Sequence, residues 1–192
     1  MEPVASTQAT QVTEADEEDE TTDNKYVLLD RLFKFIAEPA TEEELNPVLS
    51  GYFCKLVSLL ISRKQKQLVP YIFRQESVII DQLVEHVGQK SISEILNKLL
   101  TQIETDFEPE VLTQIQQKQQ LIVSKLISKL GPSQSEESNL NGSSIIQDMF
   151  EVKEFYNIIC KKESVEAIAD YATAPMNENT KSSKVSSLLV LN

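Results

Sequence analysis

Tryptophan is absent from the 192 residues, glycine occurs four times, cysteine twice and histidine once. Each shortage excludes something. Four glycines scattered singly form no Walker loop and no GxGxxG fingerprint, and they are too few for a β-rich fold with many tight turns. The single histidine, His86 in VEHVG, would need a positioned nucleophile and an orienting acid to act as a base. Its neighbour Glu85 points elsewhere on a helix. One histidine with two distant cysteines gives no zinc spacing. Cys54 and Cys160 each lie in an apolar helical context and read as two buried free thiols rather than a disulfide. No apolar run reaches the roughly 18 residues of a membrane span, and the sequence opens on no secretory signal. The expected location is cytoplasmic or nucleocytoplasmic.

Positive charge is also scarce, at 18 Lys and Arg against 30 Asp and Glu, for a net −12. Eight of those acids and no base fall in residues 1–24, so that stretch carries −8 and the remainder −4. Without clustered Lys and Arg there is no nucleic-acid surface, and an anionic membrane is disfavoured for the same reason. Residues 1–24, nearly free of large apolar groups, are expected to be a disordered acidic tail. The acid runs Glu42-Glu43-Glu44 and Glu136-Glu137 have no apolar surroundings to raise a carboxyl pKa, so neither reads as a catalytic dyad.

What remains is helix. Asn46 and Pro47 make a cap and a first helical position. After them Val48, Leu49, Tyr52, Phe53, Leu56, Val57, Leu60 and Ile61, widened by Leu59, form a stripe broad enough for neighbours on more than one side. This stretch, residues 45–67, is the expected central packing helix, and Gly51 within it suggests a close backbone approach. Tyr52, Phe53, Tyr71 and Phe73 are expected in the core, and any of them left exposed becomes a candidate interface anchor. Before it, Val27 to Ile36 makes one helical face, capped by Asp23 or Asn24 and ended by Glu38-Pro39. An acidic loop, 41–44, joins the two. After it, a helix over 64–73 contains Pro70 and should kink there or start near Gln67.

The pattern over 76–87 should end at Gly88 in an αL cap. Ser91-Ile92-Ser93-Glu94 reads as a capping box opening a clean amphipathic helix through Ile95, Leu96, Leu99, Leu100 and Ile103. Helical stripes follow from Pro109 and over 122–130, with Gln116–Gln120 as a polar junction between them. A polar loop is expected over 133–143, then helices over 144–162, 164–171 and 182–191. The last stops inside an apolar pattern, which suggests a longer chain. With no strand signal, helix pairs over 45–74, 76–106 and 109–130 predict an all-α fold, a right-handed α-solenoid of HEAT or armadillo type over residues 25–192.

Several of these residues carry a resemblance. Leu45, Asn46, Pro47 and Leu49, then Gly51, Tyr52 and Phe53, then Arg63 and Lys64, follow the pattern of the SAPS-domain family, the regulatory subunits of protein phosphatase 6. His86, Val87, Gly88, Glu94, Leu99 and Leu100 continue it. Leu121 to Gly131 with Pro132-Ser133-Gln134 resembles a later family helix and turn, with glycine in place of a histidine. The resemblance implies a non-catalytic helical scaffold that binds a serine/threonine phosphatase catalytic subunit, directs it to substrates, and meets further subunits with ankyrin repeats. The sequence departs from the family in two ways: members carry a further helical block before the Leu45-Asn46-Pro47 segment, where the acidic tail stands here, and they continue well beyond the last residue given. No cofactor or metal is implied. The densest basic run supplies the expected partner-binding residues, Arg63, Lys64, Lys66 and Gln67. A general armadillo-like adaptor unrelated to phosphatases is the alternative, and a helical enzyme would need a cleft of clustered ionisable groups.

Overall fold

A computed structural model describes residues 25–37, 45–104 and 106–192. The expectations for residues 1–24, for the helix end at Glu38-Pro39 and for the acidic stretch 41–44 lie outside those residues. The chain forms α1 (Val27–Phe33), a 3-10 turn (Lys34–Ile36), α2 (Pro47–Phe73), α3 (Ile79–Glu85), α4 (Lys90–Thr101), α5 (Pro109–Ser128), α6 (Glu136–Met149), α7 (Lys153–Ile159), α8 (Lys162–Thr173) and α9 (Lys181–Leu191). No strand occurs among the described residues.

The Asn46 side chain accepts from the N–H groups of Val48 and Leu49, at 3.0 and 3.2 Å, and Pro47 takes the first helical position. This satisfies two of the orphan donors every helix start leaves. α2 then runs 27 residues with one break, at Lys64 (φ −134°, ψ 30°). The break precedes Pro70 by six residues, so neither a kink at the proline nor a separate helix start near Gln67 is what forms. Pro70 falls in the second turn after the restart, where its missing N–H leaves only the Lys66 carbonyl without a helical donor.

The helices pack in an alternating order. α2 lies against α4, α4 against α6, and α6 against α9, while α3 packs on α5, and α5 on α7 and α8. Their buried faces merge into one core, with Leu83, Ile92, Leu96, Leu99, Ile122, Leu126 and Ile146 inaccessible or nearly so. α1 is held by an aromatic cluster: Phe33 meets Phe53 edge to face at 5.6 Å, and Tyr26 lies 5.0 Å from Tyr71. The Tyr71 hydroxyl donates to Asp30 at 2.7 Å. Burial, with that carboxylate acceptor added, pushes the phenol well above its ordinary range.

Many of the polar links between helices span about 40 residues, and others, such as Asn97 to Asp148 and Asn141 to Val87, span 51 and 54. Tyr71 reaches back 41 residues to Asp30, Gln89 39 to Ser50 and Lys98 40 to Ser58, and Lys66 reaches forward 40 to Asp106. Lys118 reaches 44 residues to Arg74, Lys129 44 to Glu85, and Lys161 41 to Gln120. Lys118 closes the end of α2, donating to the carbonyls of Arg74 and Ser77 at 2.8 and 2.7 Å.

Several local expectations are corrected. Gly88 is not an αL cap, because no glycine among the described residues has positive φ. It serves a close approach instead, since a Cβ there would lie 2.9 Å from Ser138 Oγ. The capping box at Ser91 does not form. α4 starts at Lys90 with Gln89 before it, and the Gln89 side chain bonds the Leu45 carbonyl and the Ser50 hydroxyl. The Gln116–Gln120 run is the middle of one continuous helix, so 109–130 is a single helix, while 45–74 is two helical stretches joined at the Lys64 break and 76–106 is a pair. The stretch expected as a loop over 133–143 is mostly the start of α6, capped by Ser135 accepting from the Ser138 N–H. The expected helix 144–162 breaks after Met149 and restarts at Lys153.

Among the described residues nothing lies within 4 Å of where a Gly51 Cβ would sit, so none of them makes the expected close approach. Gly51→Ala should therefore raise stability by about 1 kcal/mol in urea unfolding, the ordinary helix-propensity gain. A loss would mean that the helix needs the bare backbone there.

Candidate functional site

Half of the α2 stripe faces outward. Phe53, Val57 and Ile61 are buried, with Ser50 and Cys54 between them on the same side. Val48 and Tyr52 are each 65% exposed, and Leu49, Leu56 and Leu59 are exposed as well. Neighbours on more than one side are thus not what the broad stripe provides. Steps of three and four residues place Val48, Tyr52, Leu56, Leu59 and Arg63 in one row along the helix. Lys55 extends over the Tyr52 ring, 5.9 Å from its centre. The result is an exposed apolar ridge with a cation beside its aromatic and another at its end. Contiguous exposed apolar surface of this kind marks interaction sites.

The four residues expected to touch a partner do not act as one group. Arg63 is exposed and closes the ridge. Lys64 is exposed at the helix break, off the row. Lys66 turns to Asp106, pairing at 2.8 Å, which holds that carboxyl below its usual range. Both partners are well exposed, so the pair adds little stability. Gln67 is exposed beyond the break. Only Arg63 joins the ridge; sequence reasoning left Tyr52 as an anchor conditional on exposure, and that condition is met.

Opposite the ridge, α2 meets α4 through a polar seam. Lys98 donates to Ser58 at 2.9 Å, and Cys54 Sγ lies 3.7 Å from Glu94 Oε2. Burial pushes the Cys54 thiol up, with Glu94 reinforcing it, so the thiolate that nucleophilic chemistry needs is disfavoured. Cys160, expected to be buried, is exposed at the end of α7. His86 is buried at the end of α3. Among the described residues no group of three or more His, Cys, Asp and Glu is placed to hold a metal ion. No helix among them is long and apolar enough to cross a membrane.

The family model described as SIT4 phosphatase-associated protein matches residues 57–187. The chain belongs to that family. The SAPS resemblance carried by Arg63, Lys64 and the VEHVG segment is thereby borne out. Relatives of this SAPS-family chain include "Serine/threonine-protein phosphatase 6 regulatory subunit 3-A" of Xenopus laevis, 33% identical over 117 residues, which are 60% of this chain and 13% of that protein. "Serine/threonine-protein phosphatase 6 regulatory subunit 1" of Homo sapiens is 32% identical over 123 residues, 64% of this chain and 13% of its own length. Regulatory subunit 3 of Gallus gallus is 35% identical over 118 residues, 60% and 13% respectively. The SAPS-family chain thus spans about an eighth of the length of the curated relatives it matches. No solved structure matches it.

Proposed function

We propose that this chain works as part of a non-catalytic regulatory subunit, holding the catalytic subunit of a protein phosphatase 6-like serine/threonine phosphatase on the exposed ridge of α2. The observation that carries the reading is a family membership built on phosphatase-associated proteins, combined with an aromatic-centred apolar ridge that no other described residue covers. Aromatic anchors within an apolar patch, with a cation at the margin, are the usual composition of a protein interface. Directing the phosphatase to substrates, and meeting a subunit with ankyrin repeats, belong to the same reading, as does a cytoplasmic or nucleocytoplasmic setting.

The scaffold in this reading is an α-solenoid of HEAT or armadillo type forming one domain over 25–192. Two features support it. The packing alternates between α2–α4–α6–α9 and α3–α5–α8. Many of the polar links recur at offsets of 39 to 44 residues, close to the roughly 40–47 residues of such repeats. A rigid array of this kind presents one face to a partner without chemistry of its own.

Co-purification of the full chain with a protein phosphatase 6 catalytic subunit tests the proposal. The parent should retain the phosphatase. Tyr52→Glu/Leu56→Glu should weaken capture at least tenfold with helicity unchanged, because two charges would enter a contact that must be desolvated. Arg63→Glu/Lys64→Glu should weaken it less, as a marginal charge does. A folded parent that captures no phosphatase rejects the function, and capture unaffected by Tyr52→Glu/Leu56→Glu rejects the ridge.

A further inference from the structure

On another face of the molecule the end of α2, the C-terminal part of α4, the first half of α5 and the start of α7 leave a cleft of about 240 Å³. Its walls are apolar, from Phe73, Leu99, Ile103, Leu112 and Phe155. Gln65 fixes one rim, donating to the Gln102 carbonyl and accepting from the Glu104 N–H. The volume is below the roughly 300–1,000 Å³ of small-molecule sites, and suits inserted side chains better than a cofactor.

Three residues in the lining are unexplained by the fold. Gln119 is 9% exposed, yet its amide has no hydrogen-bond partner among the described residues. Its amide is not enclosed and lines the cleft, where it is open to a partner with both a donor and an acceptor. Glu104 and Glu154 are exposed at the cleft and form no ion pair among the described residues, although Glu104 lies within the field of Lys66. The segment 104–110 adds Asp106, Glu108 and Glu110 with no base; of these Asp106 is already paired to Lys66.

We propose that this cleft is a docking site for a short peptide segment in which bulky apolar side chains are flanked by arginine or lysine. The apolar side chains enter between Leu99, Leu112 and Phe155. The Gln119 amide, both donor and acceptor, pairs with the peptide backbone, whose N–H and C=O need the same pair of functions. Glu104 and Glu154 meet the flanking cations. The occupant is a linear protein motif, and the site is independent of the α2 ridge.

Fluorescence anisotropy on the full chain tests this. The probe is a labelled decapeptide with a central Phe-Leu pair, two arginines on each side and Gly-Ser ends. The parent should bind it saturably. Glu104→Lys/Glu154→Lys, confined to exposed side chains, should weaken binding at least tenfold. Glu136→Lys/Glu137→Lys, an equal change in net charge elsewhere, should leave it within twofold. Replacing Phe-Leu by Ala-Ala in the probe should cost at least fivefold. Binding also sought in the amide spectrum should shift the Gln119 side-chain resonances of the parent. The proposal is overturned if the parent shows no saturable binding, if the two charge variants weaken it equally, or if the Ala-Ala probe binds as well as the original.

Discussion

Asn141→Ala is expected to lower the stability of the chain by roughly 2–4 kcal/mol, because it strands one buried and one partly buried carbonyl at once. The Asn141 amide donates to the carbonyls of Val87 and Gly88, at 3.0 and 2.9 Å, across the junction between α3 and α4. Neither carbonyl has another backbone partner among the described residues. Gly88 sits close against Ser138, so α6 leaves little room for water to replace the lost donor. Urea unfolding should show the midpoint falling with the slope unchanged, the sign of lost stability rather than a changed unfolded state. The neighbouring Asn139 provides an internal comparison. It donates to the carbonyls of Lys129 and Gly131, but the Gly131 carbonyl also accepts from the Gln134 N–H. Asn139→Ala should therefore cost less than Asn141→Ala, and the reverse order would show that the stranded carbonyl is not the dominant cost.

The second large effect is a pair of opposite signs at one position. α9 turns Ser183, Ser186 and Ser187 inward against α6 and α8, while Val185, Leu188 and Leu189 face out. Ser183 anchors the contact by donating to the Leu130 carbonyl. Ser187 is fully buried, and its hydroxyl meets no partner among the described residues. Ser187→Ala removes an uncompensated hydroxyl and should gain up to about 1 kcal/mol. Ser187→Leu has nowhere to place its extra carbons, so α9 must shift off both helices at a cost of about 3 kcal/mol. Thermal melting of the two variants distinguishes these cases. A leucine tolerated as well as alanine would mean that α9 is loosely seated.

The same two places explain what the sequence made legible. Where apolar residues carry the packing, as in Ile92, Ile95, Leu96, Leu99 and Leu100 of α4, spacing alone located the helix and its buried face. Asn46 and Pro47 gave the start of α2 to the residue, because a cap and a missing N–H are local chemistry. α6 was hidden because its buried start is Ser138, Asn139, Asn141, Gly142 and Ser143, residues that read as a loop until the carbonyls they serve are known. α9 was placed correctly, but its inward face is serine. The α2 ridge misled in the other direction, since periodicity finds apolar positions without telling which of them a neighbour covers. Gln119 carried no signal within a glutamine run that reads as solvated. Of the four expected partner-binding residues only Arg63 lies along the ridge, because charge density ranked them and the break at Lys64 turns the rest aside.

The offset of about 40 residues between linked positions also sets a clock. A chain emerging from a ribosome at roughly 5–20 residues per second needs about 2–8 seconds to supply each next set of partners. Lys98 brings to Ser58 what that serine lacks, Lys129 does so for Glu85 and Lys161 for Gln120, each about one such interval later. α2 and α4 can thus close on each other before α9 has been made.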